Sequence, residues 1–326
     1  MKSDTLHLSV VLPVYYSGKI FPELYQRLTQ TLESITSSFE IIAVVDGCTD
    51  DTAAIVASFH EKDPRVKLIE LSRNFGNQMA ITAGLRHSLG EMVIVMDDDL
   101  EDPPELIPEL LNKANEGFDV VYAVRRSRKI SAFRHTIFKG YYKLLSKMVS
   151  HQVIQDVGDF CLMRRPVVEV LNNMPEGHRY IRGLRSWAGF SQAGVDFDRQ
   201  ERSSGESGFG LSQYLKFAFD GIFSFSQVPL ILSTYLGFAI SLFSFLAGGW
   251  FLFAKLTGIA PNVPGYASIV ISVLFIGGVQ LLSIGVLSQY VGRIYDEVRG
   301  RPPYIVKRSM GIRFKDVAPR EDPNII

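Results

Sequence analysis

Two stretches without a charged side chain constrain this chain more than anything else in it. No charge occurs from Val228 to Ala254, and none from Leu256 to Gly292. A helix needs about 20 apolar residues to cross the hydrocarbon core of a bilayer, and each stretch is long enough. The pattern predicts spans near Val228–Ala254 and Ala267–Gln289, joined by the segment TGIAPNVPG, whose prolines and glycines suit a turn. Core helices of a soluble protein would show a polar stripe, which these stretches lack. Arg293, Arg299, Arg301, Lys307 and Arg308 crowd the exit of the second stretch, whereas the loop has only Lys255 at its edge. The positive-inside rule then places both termini in the cytoplasm, at the inner membrane.

The rest of the 326 residues reads differently. The formal net charge is zero, so no global attraction to nucleic acid is expected. The N-terminus, MKSDTLHLSVV, does not resemble a signal peptide. The two cysteines, Cys48 and Cys161, have neither metal-ligand spacing nor a bridge framework, in keeping with a reducing compartment.

From Leu8 to Val124, apolar runs alternate with helix-length amphipathic segments, the pattern of a mostly parallel sheet with crossover helices. Strands are expected at Leu8–Tyr15, Glu40–Asp46, Val66–Leu71, Glu91–Asp97 and Phe118–Val124. Helices are expected at about Pro22–Thr36, Asp50–Glu61, Gly76–Ser88 and Pro104–Ala114, with Asp50 as an N-cap. The strand ends should share one edge, where open α/β sheets bind ligands; Tyr15, Asp46, Arg73, Asp97, Asp99, Arg125 and Arg126 collect there. Further on, Ser131–Val149 and Leu211–Phe225 are basic amphipathic helices that either lie on a membrane surface or pack on the sheet.

The segment VIVMDDDLEDPP, Val93–Pro104, sets five acidic side chains in six positions behind an apolar run. Such crowding is costly unless a cation or ligand neutralises it. In an extended segment Asp97, Asp99 and Glu101 face one way and Asp98 another. Hard oxygen ligands of this kind suit Mg²⁺ or Mn²⁺, completed by a diphosphate and water.

The motifs VLPVYYSGKIFPEL, EIIAVVDGCTDDT, LSRNFGNQMAITAGL, VMDDDLEDPPELIPEL, QDVGDFCLMRR and RSSGESG occur in this order ahead of the two apolar stretches. Together they resemble the family-2 glycosyltransferases of the GT-A fold, and within them the polyprenyl-phosphate glycosyltransferases, which include bactoprenol glucosyltransferases and dolichol-phosphate mannose synthases. The resemblance implies inverting transfer of a sugar from a nucleotide-diphosphate donor to a polyprenyl phosphate. It implies catalytic roles for Asp97, Asp99 and Asp159, and a metal and donor diphosphate held by Asp97 and Asp99; the residue pattern adds Glu101 as a third candidate ligand. Pro13, Tyr15, Asp46, Gly47, Asp50, Arg73, Asn74, Asp97 and Asp98 are then candidates for the nucleotide sugar, and Arg125, Arg126, Arg134, Arg202 and Ser207 for the acceptor phosphate.

Several positions depart from that pattern. Tyr15-Tyr16-Ser17 stands for the usual Tyr-Asn-Glu, Val45 for the first of two aspartates, Cys48 for a serine, Glu101 for a glutamine and Gly208 for a lysine. A UDP-sugar such as UDP-glucose is the favoured donor and GDP-mannose the next. Transfer to a hydroxyl acceptor and a weakly active sugar-nucleotide-binding membrane partner are the alternatives. The expected partners are donor, acceptor lipid and bilayer, with a homo-oligomer admitted. The expected architecture is an α/β GT-A domain (1–210), an interfacial helix (211–227), two transmembrane helices (228–290) and a cytoplasmic tail (291–326).

Overall fold

A computed structural model of the chain describes residues 7–125, 157–177, 179–197, 228–257 and 265–312. The expected amphipathic helices Ser131–Val149 and Leu211–Phe225 lie outside these residues, as do Arg126, Arg134, Arg202, Ser207 and Gly208. The chain divides into two units, one carrying an eight-stranded sheet with its helices and the other carrying two long helices.

In the first unit, strands β1 (Leu8–Val14) and β2 (Phe39–Val45) are buried along their whole length. Continuous apolar runs of this kind need cover on both faces, which crossover helices supply in a parallel sheet. Helix α1 (Phe21–Ile35) buries Leu24, Leu28 and Leu32, four residues apart along one face. Helix α2 (Thr52–Lys62) leads to β3 (Val66–Leu71), and α3 (Asn77–His87) to β4 (Met92–Val95). Helix α3 lies so close to β1 that a Cβ on Gly84 would stand 2.2 Å from a Val11 methyl. A turn at Pro104–Leu106 opens α4 (Ile107–Asn115), followed by β5 (Val120–Arg125).

Strand β6 (Val157–Arg164), helices α5 (Arg165–Asn173) and α6 (Ile181–Trp187), and β7 (Gln192–Phe197) complete the motif-bearing region. The sheet order is β7-β5-β6-β4-β1-β2-β3-β8. Strands β1 to β5 all run one way, while β6 lies antiparallel between β4 and β5. The sheet is thus mostly parallel, as expected, with β6 and β8 reversed. Order reverses at β1, whose neighbours are β2 and β4; the loops after β1 and β4 part there and leave a crevice.

The last strand, β8 (Val306–Met310), falls in the segment read from sequence as a tail, and pairs antiparallel with β3. Tyr304, Val306 and Ile312 pack onto a cluster that includes Ile42, Val44, Ile69 and Leu71. The edge of the sheet is thereby covered.

The second unit contains α7 (Val228–Leu256) and α8 (Tyr266–Val298), which touch each other. Among the described residues, one stretch, Phe275–Val298 in α8, is long and apolar enough to cross a membrane, and a shorter apolar stretch, Ser233–Ala247, lies in α7. One of the two expected spans therefore meets these criteria among the described residues.

Candidate active site

The crevice holds a cavity of about 250 Å³ lined by Pro13, Val14, Tyr15, Asp46, Asn74, Gly76, Asn77, Ala80, Asp97, Asp98 and Asp99. Of the residues expected to meet a nucleotide sugar, Pro13, Tyr15, Asp46, Asn74, Asp97 and Asp98 are brought together. Gly47, Asp50 and Arg73 stand outside the wall.

The acidic turn departs from the extended geometry expected of it. Strand β4 stops at Val95, so the two-residue alternation of a strand no longer applies beyond it. Asp99 Oδ1 accepts the Glu101 N–H at 3.0 Å, and Leu100 adopts φ 60°, rare for a residue with a side chain. This bend buries Glu101 and Asp102. Glu101 therefore leaves the cavity wall, and among the described residues no three carboxylate, imidazole or thiol groups gather as a ready metal site.

Asp98, expected to point elsewhere, faces the cavity. Its Oδ2 accepts the Tyr15 N–H at 3.2 Å, and Ser17 also hydrogen-bonds it. Burial pushes its carboxyl up to about 6, against the pull of these donors. Asp97 is pushed up to about 7, first by burial, then by the charges of Asp102, Asp159, Asp99 and Asp98. Carboxylates held this close raise one another's pKa, and hard oxygen donors of this kind match a divalent cation, so the residues present fit Mg²⁺ or Mn²⁺ through Asp97 and Asp99.

Asp46 is buried and acts on the neighbouring loop. Its oxygens accept the N–H groups of Phe75 at 2.7 Å and Gly76 at 2.8 Å, fixing the approach to α3 and the position of Asn74. Gly47, at φ 64°, passes so close that a Cβ would stand 2.1 Å from the Arg73 carbonyl carbon. Arg73 stacks over Phe75 with 4.8 Å to the ring centre. Asp50 accepts the Thr52 N–H at 3.2 Å while Asp51 takes the N-cap position, one residue later than expected.

Tyr15 and Tyr16 meet edge to face at 4.6 Å. Tyr16, at φ 54°, donates its N–H to Cys48 Sγ at 3.2 Å and shares a 2.9 Å hydrogen bond with Thr49. Both cysteines are free, and burial pushes both thiols up.

Asp159 lies on β6. The β4–β6 register pairs Val95 with Cys161, so Asp159, two residues before Cys161, lies just past the end of β4, and its charge acts on Asp97. One Asp159 oxygen pairs with Arg182 Nε at 3.0 Å and the other accepts from Gln78 Nε2 at 3.1 Å. Sequence reading missed Asn77, Gln78, Asp102 and Arg182. Asn77 and Gln78 belong to the motif LSRNFGNQMAITAGL and were findable there, whereas nothing in IRGLRSW marks Arg182. Arg125 ends β5, where its backbone faces Phe197.

A switch-point crevice with an acidic turn on β4 is the arrangement of the GT-A α/β fold. Residues 9–171 match the model of glycosyl transferase family 2. The chain is 42% identical over 311 residues to an uncharacterized glycosyltransferase of Synechocystis sp., covering 95% of this chain and 98% of that protein. It is 39% identical over 305 residues to the bactoprenol glucosyl transferase of Shigella phage SfII, covering 93% and 98%. Among solved structures, glucosyl-3-phosphoglycerate synthase from Mycobacterium tuberculosis, in complex with Mn²⁺, UDP-glucose and phosphoglyceric acid, has a TM-score of 0.50. That match has 17% identity and covers 67% of this chain and 78% of the other. The chain belongs to glycosyl transferase family 2 and is a transferase.

Proposed function

We propose that this enzyme transfers a sugar, with inversion, from a UDP-sugar such as UDP-glucose to the phosphate of a polyprenol at the cytoplasmic face of a membrane. The observation that carries the reading is the cavity itself. It joins the acidic turn after β4 to Tyr15 and Asn74, in a chain similar over nearly its whole length to a bactoprenol glucosyl transferase.

Breaking a glycosyl-diphosphate bond builds negative charge on the leaving group. Asp97 and Asp99 would hold a divalent ion, which would supply Lewis-acid stabilisation of that charge. Tyr15 offers an exposed aromatic face and Asn74 and Asn77 neutral polar groups for the nucleotide. A phosphate monoester has a second pKa of about 6 and is largely dianionic at pH 7, so the acceptor needs little help from a base. Asp159 fits that reading, because Gln78 donates to one of its oxygens and Arg182 stands 3.0 Å from the other as an ion pair, which suits it to orienting the sugar.

Helices α7 and α8 serve as a two-span membrane anchor in this reading. Phe243, Phe245 and Leu281 are more than 70% exposed on them, and apolar surface so extensive is favourable against lipid, not water. A polyprenol tail would cost about 0.8 kcal/mol per CH₂ to withdraw from the bilayer, so enzyme and acceptor share an interface. The acceptor-phosphate roles of Arg125, Arg126, Arg134, Arg202 and Ser207 belong to this proposal.

The test is transfer of labelled glucose from UDP-glucose to undecaprenyl phosphate, with Mn²⁺ and with chelator, beside a GDP-mannose arm. Chelator-sensitive glucosyl lipid is the expected product. Mannosyl lipid instead would reassign the donor, and nucleotide binding without transfer from any donor would favour the non-catalytic partner.

A further inference from the structure

Gln78, in the first turn of α3, reaches two other elements at once. Its Nε2 donates to Asp159 Oδ2 at 3.1 Å, and its Oε1 accepts the Ile181 N–H at 2.8 Å. Ile181 opens α6, and the next residue, Arg182, pairs with the other Asp159 oxygen at 3.0 Å. The contacts close a ring, Gln78 to Asp159 to Arg182 to Ile181 and back to Gln78, that joins α3, β6 and α6. A side-chain amide fits the junction because it donates and accepts together, which a carboxylate cannot do. Arg182 also lies over the Tyr180 ring, 5.4 Å from its centre.

The segment leading into α3 is anchored at its other end too, where Asp46 holds the N–H groups of Phe75 and Gly76. Gly76 and Asn77, between the two anchors, line the cavity. Asp159 meanwhile stands on β6 two residues before Cys161, the partner of Val95, and its charge acts on Asp97. The donor Gln78 and the cation Arg182 offset that like-charge repulsion.

We propose that Gln78 and Arg182 are positioning residues for glycosyl transfer. They fix the Asp159 carboxylate on β6 just past the end of β4, and so act on turnover and not on donor binding. The inference rests on the transfer reaction proposed above. The sequence motifs assign a role to neither residue.

The experiment uses the full chain in detergent, with UDP-glucose, undecaprenyl phosphate and Mn²⁺. Gln78→Ala is expected to lower kcat by about tenfold or more while KM for UDP-glucose stays within about threefold, the signature of an interaction acting after donor binding. Gln78→Glu, which sets a second carboxylate against Asp159, is expected to do worse than alanine. Arg182→Lys keeps the charge and should recover at least about threefold of the kcat lost in Arg182→Ala. An unchanged kcat in Gln78→Ala, a loss confined to KM, or a lysine no better than alanine overturns the proposal.

A second measurement does not depend on which sugar is transferred. Hydrogen exchange at the Ile181 amide should rise by about tenfold in Gln78→Ala, the scale of one lost hydrogen bond, with UDP and Mn²⁺ binding unchanged. Unchanged exchange overturns the ring. Faster exchange in a protein whose wild type transfers no glucose from UDP-glucose upholds the ring and sinks only the donor assignment.

Discussion

The Tyr15 N–H donates to Asp98 Oδ2 at 3.2 Å, tying the loop after β1 to the acidic turn after β4 across 83 residues of sequence. Asp98 thereby couples the exposed ring of Tyr15 to the carboxylates Asp97 and Asp99 on either side of it. Replacing it removes the acceptor for the Tyr15 N–H. Asp98→Ala is expected to raise KM for UDP-glucose by about tenfold, the cost of one charged hydrogen bond, with a smaller effect on kcat. Asp97→Ala and Asp99→Ala should instead lower kcat by a hundredfold or more, on the scale of losing electrostatic stabilisation of the leaving group. Steady-state kinetics on the three variants separates the roles; equal kcat losses would refute the division.

Asp97 makes stability depend on pH in a direction opposite to a salt-bridged carboxylate. Its folded pKa is raised from 3.8 to about 7, so the native state holds a proton that the unfolded state releases. The cost of that mismatch is absent below about pH 4, grows as pH rises towards 7, and is constant above it. In metal-free protein, Asp97→Asn should therefore stabilise by about 2–4 kcal/mol at pH 8 and by little at pH 4. Thermal melts at the two pH values check this. Added Mn²⁺ with UDP should raise the wild-type Tm and leave the variant nearly unmoved.

Gly47 offers a test of how tightly the nucleotide side of the crevice is built. A Cβ there would meet main-chain atoms of Arg73 and Asn74, at 2.1 and 2.2 Å, which cannot step aside as a side chain could. With φ at 64° the substitution is strained as well. Gly47→Ala is expected to destabilise by about 3 kcal/mol in urea unfolding. It should also weaken UDP binding, because Asn74 lies on the cavity wall.

What the sequence disclosed and what it hid follow from burial. Strands β1 and β2 are covered on both faces, so their apolar runs were legible within a residue or two. Strand β8 was not, because an edge strand such as VKRSM pairs through its backbone and leaves Lys307 and Arg308 exposed like any basic tail. The acidic run announced the site, yet its geometry was hidden. Period-two reasoning assumed a strand that ends at Val95, and the bend at Leu100 sent Glu101 inward and left Asp98 in the crevice. Asp46 was identifiable as a site residue but not as the clamp on Phe75 and Gly76, which joins segments far apart in the chain.

The covered sheet edge yields a prediction in which the order of effects matters more than their size. Glu70 on β3 is buried and accepts Lys307 Nζ at 2.6 Å and faces Arg308 Nε at 3.3 Å, while both cations are exposed. Exposed pairs contribute little on their own, so the cations matter here only through the buried carboxylate that they compensate. A buried carboxylate stripped of its partners is different, since its desolvation is no longer compensated. The double variant Lys307→Ala with Arg308→Ala should therefore cost about 1–2 kcal/mol, whereas Glu70→Gln, which removes the charge needing compensation, should cost less. Denaturant melts of both variants, with trypsin sensitivity of the 302–312 segment as a second readout, test the order. A Glu70→Gln protein less stable than the double variant would mean that β8 is held by the ion pairs and not by its backbone ladder and the packing of Tyr304, Val306 and Ile312.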